Sequence, residues 1–170
     1  MKRDDTLTYN ARMRTIKYRG WNQKNQRWLY GFYLQNRGAH FVCPDEFATG
    51  KTWEDYEINP RTLGEFTELH DKDGREIYED DLLEMTLPDG SRRVFWVRHR
   101  QQSRMLAALD GFEHDRNPVL IVGWCFSWEG HDLYPSIING VPDNKRMKVV
   151  GTVHKLLRGI NDEHTIPEQP

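Results

Sequence analysis

Residues 81–100 read DLLEMTLPDGSRRVFWVRHR, two β-rich runs on either side of Pro88-Asp89-Gly90. Pro pre-sets the turn backbone, Asp bonds to its own main chain, and Gly tolerates positive φ, so this stretch predicts an antiparallel hairpin. Working outward, RTIKYRGW (14–21) alternates Ile16 and Tyr18 with Lys17 and Arg19. That is the period of a half-buried strand, and QRWLYGFYLQ follows after the turn-like NQKNQ, giving an N-terminal hairpin. Short strands are expected near His40–Cys43 and Trp53–Ile58. In INPRTLGEFTEL (58–69) Asn59 and Pro60 form a helix-start signal that Gly64 ends within one turn. RMLAALDGF (104–112) is compatible with either a short helix or a strand. PVLIVGWCFSW (118–128) reads as a buried strand and its exit, LYPSIINGVPDN (133–144) as loop, and MKVVGTVHKLL (147–157) as a closing strand. Many short strands and almost no long amphipathic helix predict a mainly β fold, a small antiparallel β-barrel or sandwich compatible with an SH3-like barrel. The expected organisation is a flexible N-terminus at 1–11, one β-rich domain over 12–158, and a flexible polar tail at 159–170.

Composition agrees with that class: 37% of the 170 residues are hydrophobic, 29% are charged, and six Trp, seven Tyr and seven Phe allow a small core to bury much area. No apolar run approaches the roughly 20 residues that a membrane span needs, and the charged opening does not resemble a signal peptide, so a cytoplasmic protein of a bacterial host is expected. Cys43 and Cys125 sit in apolar company and read as buried thiols. The net charge of -2 conceals segregation. Residues 1–37 carry nine Lys/Arg against two Asp, whereas residues 45–89 carry fifteen Asp/Glu against four Lys/Arg. Such a pattern can be neutralised within the fold, between subunits, or by a basic face on nucleic acid.

The acidic run ELHDKDGREIYEDD (68–81) invites a calcium reading. Aligning Gly74 with the sixth position of an EF-hand loop puts Asp73 fifth, Asp71 third and Asp80 twelfth, but the first position falls on Leu69, which has no ligand oxygen. A tight turn made by Asp71, Asp73 and Gly74 is the simpler account. Ile77 and Tyr78 would then anchor the chain in the core.

The same run resembles the signature of the YopX protein family of phages and prophages, close to T-G-L-x-D-x-x-G-x-x-I-Y-E-G-D-I/L-V/L. Thr67, Leu69, Asp71, Gly74, Ile77, Tyr78, Glu79, Asp81, Leu82 and Leu83 fit it. IKYRGWN, with Trp21, is similar to that family's opening K-F-R-A-W-D. NPRTLGEFTEL, with Pro60 and Gly64, is similar to P-E-T-V-G-Q-F/Y-T-G-L, and VVGTVHKLL to a shortened I-G-N-I-Y/H-E-N-P-E-L-L. Glu68 and Asp80 stand where the family pattern has Gly. The resemblance implies a compact β-rich protein of a mobile element, with no established activity and no catalytic residues to carry over.

Chemistry-bearing clusters are few. DGFEHDRN and EGHDLY bring His114 and Asp115, and His131 and Asp132, into consideration as metal ligands for an enzyme, although their spacing matches no metal motif. No nucleophile elbow or phosphate-binding glycine loop occurs. Arg92, Arg93, Trp96, Arg98 and Arg100, with Lys17 and Arg19, form a candidate single-stranded nucleic-acid surface in which cations meet phosphates and Trp stacks on bases. The structural alternative places Trp96 in the core and pairs the Arg side chains with the acidic segment. The expected function is therefore that of a non-enzymatic phage or prophage accessory protein without a cofactor. It would act by binding an unidentified host or phage protein as a homo-oligomer, with nucleic acid as the alternative partner and no membrane involvement.

Overall fold

The computed structural model describes residues 14–105 and 118–158. β1 (Tyr18–Asn22), β2 (Arg27–Asn36), β3 (Ala39–Cys43), β4 (Asn59–His70) and β5 (Glu76–Tyr78) form an antiparallel sheet in the order β3-β2-β1-β4-β5. β6 (Asp81–Thr86), β7 (Arg92–Arg104), β8 (Val119–Trp128), β9 (His131–Leu133) and β12 (Met147–Thr152) form the second, ordered β12-β6-β7-β8-β9. A small hairpin of β10 (Ile137–Ile138) and β11 (Val141–Pro142) lies between β9 and β12, and α1 (Val153–Arg158) closes the described chain. Among the described residues no helix is long and apolar enough to cross a membrane.

Both expected hairpins form. β1 pairs with β2 from Tyr18↔Gly31 to Asn22↔Arg27, and β6 pairs with β7 from Leu82↔Trp96 to Thr86↔Arg92. The architecture is mainly β and sandwich-like, and the barrel is not closed. β5 and β9 are three residues each, too short to stitch one sheet to the other.

Local signals misled at several places. Asn59 and Pro60 begin β4 rather than a helical turn: Thr62, Gly64 and Phe66 are buried in alternation, a period of two that overrides the cap signal. Asn59 instead accepts the Arg61 N–H at 3.0 Å. Gly64 does not end a helix. It lets β4 approach the Glu79 carbonyl so closely that a Cβ there would lie 2.8 Å from that oxygen. Trp53–Asp55 is a 3-10 turn in place of a strand, closed by Thr52 and Asp55 as a capping box. The Asn139-Gly140 pair, expected in a loop, makes the two-residue β10–β11 turn with φ of 52° and 77°. The closing strand stops at Thr152 and becomes α1. Only the second half of β8 is buried, through Cys125 and Phe126, while Val119, Leu120 and Val122 are exposed. Most of RMLAALDGF lies outside the described residues.

The main core joins the two sheets. Ile77 from β5 packs with Leu83, Phe95, Val97, Phe126, Met147 and Val149, with Leu69 against them. A second cluster holds Leu29, Val42 and Ile58, and a third holds Phe41, Cys43 and Tyr56. Cys43 and Cys125 are buried free thiols, and burial raises the pKa of both. Ile77 and Tyr78 are buried as expected. The Tyr78 ring lies 5.5 Å from both Tyr30 and Phe66, and its hydroxyl donates to Glu76 at 2.6 Å. Tyr78→Ala is therefore expected to lower unfolding free energy by about 3 kcal/mol in chemical denaturation. A midpoint equal to the parent's would mean that the ring is dispensable to the core.

Candidate functional site

The acidic run turns out to be structural wiring. Asp71 is fully buried and accepts three backbone N–H groups, from Asp73 at 2.9 Å, Arg75 at 2.8 Å and Val149 at 2.9 Å. The first two close the turn that Gly74 completes with φ of 82°, and the third ties that turn to β12. Both carboxylate oxygens are thus committed to main chain. Burial pushes Asp71 up, but the N–H donors outweigh it and hold its pKa below the usual carboxylate range. Thr67, also buried, donates to the Ile77 carbonyl at 2.8 Å.

A second network joins the sheets. Arg19 on β1 is buried, its Nη1 2.5 Å from Asp81 Oδ1 and its Nη2 donating to the Glu79 carbonyl at 2.9 Å. Its guanidinium lies 4.8 Å from the Trp28 ring and 5.1 Å from the Tyr78 ring. Asp81 also accepts the Tyr78 N–H. Burial raises Asp81 while Arg19 and that N–H pull it back, and burial with the neighbouring Asp80 raises Glu79. Asp80 accepts Trp96 Nε1–H at 2.8 Å and lies 3.0 Å from His154 Nε2 on α1. Burial works against its charge, yet His154 and Trp96 hold its pKa low.

These placements redistribute the candidate nucleic-acid residues. Arg19 leaves the set because it is buried on Asp81. Lys17 pairs with Glu76 at 2.7 Å, Arg92 with Glu84 at 3.6 Å and Arg100 with Asp132 at 3.9 Å. Arg98 stacks on Trp96 and Arg93 on Trp128, each 4.1 Å from the ring centroid. Trp96 is half-buried, between the exposed platform and the core residue that the two readings required. Of the metal candidates, His114 and Asp115 lie outside the described residues. Asp132 is engaged by Ser127 and Arg100, and His131 is exposed. Among the described residues no three His, Cys, Asp or Glu side chains cluster as a metal would need. Trp21 packs edge-on to Trp28 at 5.6 Å, and Pro60 is exposed at the start of β4.

The sequence reading missed a surface of exposed aromatic rings. Phe32 on β2, with Phe47 and Trp53 on the segment after β3, are 41%, 53% and 57% exposed. Phe47 sits between the other two at 6.2 and 6.1 Å and also meets Tyr56 at 5.2 Å, all edge-to-face. Asp45 and Glu46 precede Phe47 in the chain and Glu54 follows Trp53, all three exposed. Rings so arranged stiffen one another and present apolar area outward, which suits a macromolecular partner better than proton transfer.

The family model described as YopX protein matches residues 17–156. No curated protein matches the chain.

Two expectations follow from the acidic run. Asp71 has a folded pKa below its unfolded value of about 4, so its contribution is present above that pH and lost as pH falls through the folded pKa. Stability measured by urea titration should therefore fall as the pH is lowered below about 5, and fall less in Asp71→Asn, which should already be weaker than the parent at neutral pH; parallel pH curves would remove Asp71 from this role. Glu68 and Asp80 adopt φ of 64° and 67°, a left-handed conformation that costs a non-glycine residue about 1 kcal/mol. Glu68→Gly should raise the unfolding free energy, whereas Asp80→Gly, which forfeits the Trp96 and His154 contacts, should lower it by about 1–2 kcal/mol. Equal shifts in the two variants would contradict the assignment.

Proposed function

The chain belongs to the YopX protein family, and we propose that it works by binding: a non-enzymatic accessory protein of a phage or prophage, acting in the cytosol of its bacterial host as a homo-oligomer with a protein partner. The observation that carries this reading is the aromatic surface of Phe32, Phe47 and Trp53. Large rings clustered in solvent are unfavourable for a free protein and are the residue types that dominate binding energy at interfaces. The polar side chains of the family signature support it from the other side. Asp71, Asp81 and Thr67 are buried and hydrogen-bonded to the fold's own groups.

A second reading, single-stranded nucleic acid, is favoured by Arg98 stacked on Trp96 and Arg93 on Trp128, since a guanidinium on an indole offers both a cation and a flat surface. Light scattering on a size-exclusion column, at about 50 and 500 mM salt with and without a short single-stranded DNA, separates the two. The protein-partner reading expects an oligomer indifferent to salt and DNA. A monomer that shifts with DNA only at low salt would replace it with the nucleic-acid reading. Trp53→Ala should leave stability within about 1 kcal/mol of the parent because the ring is exposed. A larger loss would make the surface part of the fold instead of a contact.

A further inference from the structure

Sheet edges carry unpaired N–H and C=O groups, and this fold covers most of its own. The outer edge of β3 is occupied by the chain at 56–58, through Val42 N–H to the Tyr56 carbonyl at 3.0 Å and Ile58 N–H to the His40 carbonyl at 2.9 Å. The outer edge of β12 is occupied by the acidic turn: Lys72 N–H donates to the Met147 carbonyl at 2.9 Å and Val149 N–H to Asp71 Oδ2 at 2.9 Å. β8 is different. β9 pairs only with Phe126, Ser127 and Trp128. The chain then leaves the edge, with the Tyr134 hydroxyl donating over the ribbon to the Ile121 carbonyl at 3.3 Å and its ring under Arg104. Among the described residues nothing pairs with the outer edge of Val119–Cys125.

That segment reads VLIVGWC. It holds no charge and no internal proline, has no positive φ, and keeps register with β7 without a shift from Val119↔Arg104 to Ser127↔Trp96. It therefore lacks the devices by which an edge strand is protected from pairing. Leu120 and Val122 are 57% and 56% exposed.

We propose that Val119–Cys125 pairs antiparallel with the same segment of a second copy, joining two second sheets across a twofold axis into one continuous sheet. This rests on the homo-oligomer reading and gives that oligomer its interface. A twofold contact requires a surface complementary to itself, and this strand satisfies the condition. With Val122 on the axis, Leu120 meets Trp124 and Ile121 meets Gly123, so apolar side chains face apolar or small ones and no like charges oppose. Alternate residues along the segment present main-chain N–H and C=O to the edge, which an identical antiparallel strand satisfies in both directions. The three arginines of β7 opposite this segment are each engaged: Arg98 lies on Trp96, Arg100 near Asp132 and Arg104 on Tyr134.

The test uses the full chain, its monomer mass being 20.2 kDa, in sedimentation velocity over a dilution series. The parent should form a species of even copy number, and Leu120→Lys/Val122→Lys, which sets like charges across the axis, should sediment as a monomer with the parent's circular dichroism and with the melting midpoint of the parent diluted to monomer. Val122→Thr, uncharged and β-branched, should retain association. Hydrogen exchange on the unaltered parent reads the same contact without mutation: the alternate amides of 119–125 that face the open edge should be protected in the oligomer and lose protection on dilution to monomer, while those that face β7 stay protected in both. An oligomer that persists in the double Lys variant, or one whose edge-facing amides in 119–125 exchange freely, overturns this interface and leaves self-association standing. A parent that is monomeric throughout overturns both.

Discussion

The buried Arg19–Asp81 pair is the contact on which the two sheets depend. Arg19 comes from the second residue of β1 and Asp81 from the first residue of β6, so one ion pair spans the change from the first sheet to the second. Such a pair is weak evidence for net stability, because two charges lose their hydration, but deleting one partner strands the other at a cost of about 3–5 kcal/mol. Its geometry is correspondingly enclosed: Glu79 carbonyl, Tyr78 N–H and the faces of Trp28 and Tyr78 surround the two charges, with only Arg19 Nε of the guanidinium left without an acceptor among the described residues. The consequence is registry. β5, the turn at Glu79 and Asp80, and β6 can only meet β1 in the one alignment that pairs these groups, and Ile77 and Tyr78 are delivered into the core by that alignment.

What the sequence made legible was whatever is decided locally. The β6–β7 hairpin could be read from Pro88-Asp89-Gly90 and alternating side chains, and the turn at Asp71 from an acid followed by Asp73 and Gly74. Asp71's larger role, accepting from Val149 across 78 residues, has no local signature. β4 shows the opposite failure. Asn59-Pro60 is a sound helix start in isolation, and burial of Thr62, Gly64 and Phe66 against distant chain decides otherwise. Charge segregation was visible, and so was one of its resolutions, since Lys17, Arg19 and Arg92 all find acids from the segment 45–89. The exposed rings could not be assembled from sequence, because Phe32, Phe47 and Trp53 belong to separate stretches and only the path of the chain after β3 brings them together.

Glu68 and Asp80 show how one local strain can have two different meanings. Both occupy left-handed backbone at positions where the family pattern has glycine. At Glu68 the side chain is half in solvent and, among the described residues, pairs with the exposed Arg14 at 3.4 Å, so little offsets the conformational penalty. At Asp80 the carboxylate gathers Trp96 from β7 and His154 from α1, linking the signature turn to the last helix. Strain persists where surrounding contacts over-determine it, and Asp80 meets that condition.

The same contrast between enclosed and open groups runs through the whole molecule and bears on what it does. Buried acids are satisfied by several donors, the edges of β3 and β12 are covered, and both thiols are enclosed. Against that thoroughness, the ring cluster at Phe32, Phe47 and Trp53 and the bare half of β8 stand out, the latter on a strand held in unbroken register by β7. Rigid support beneath an exposed apolar surface lowers the entropy lost when that surface is covered, which is the condition for binding to be favourable. Asp71 and Asp81 of the signature are enclosed, while the side chains left open at these two places are apolar.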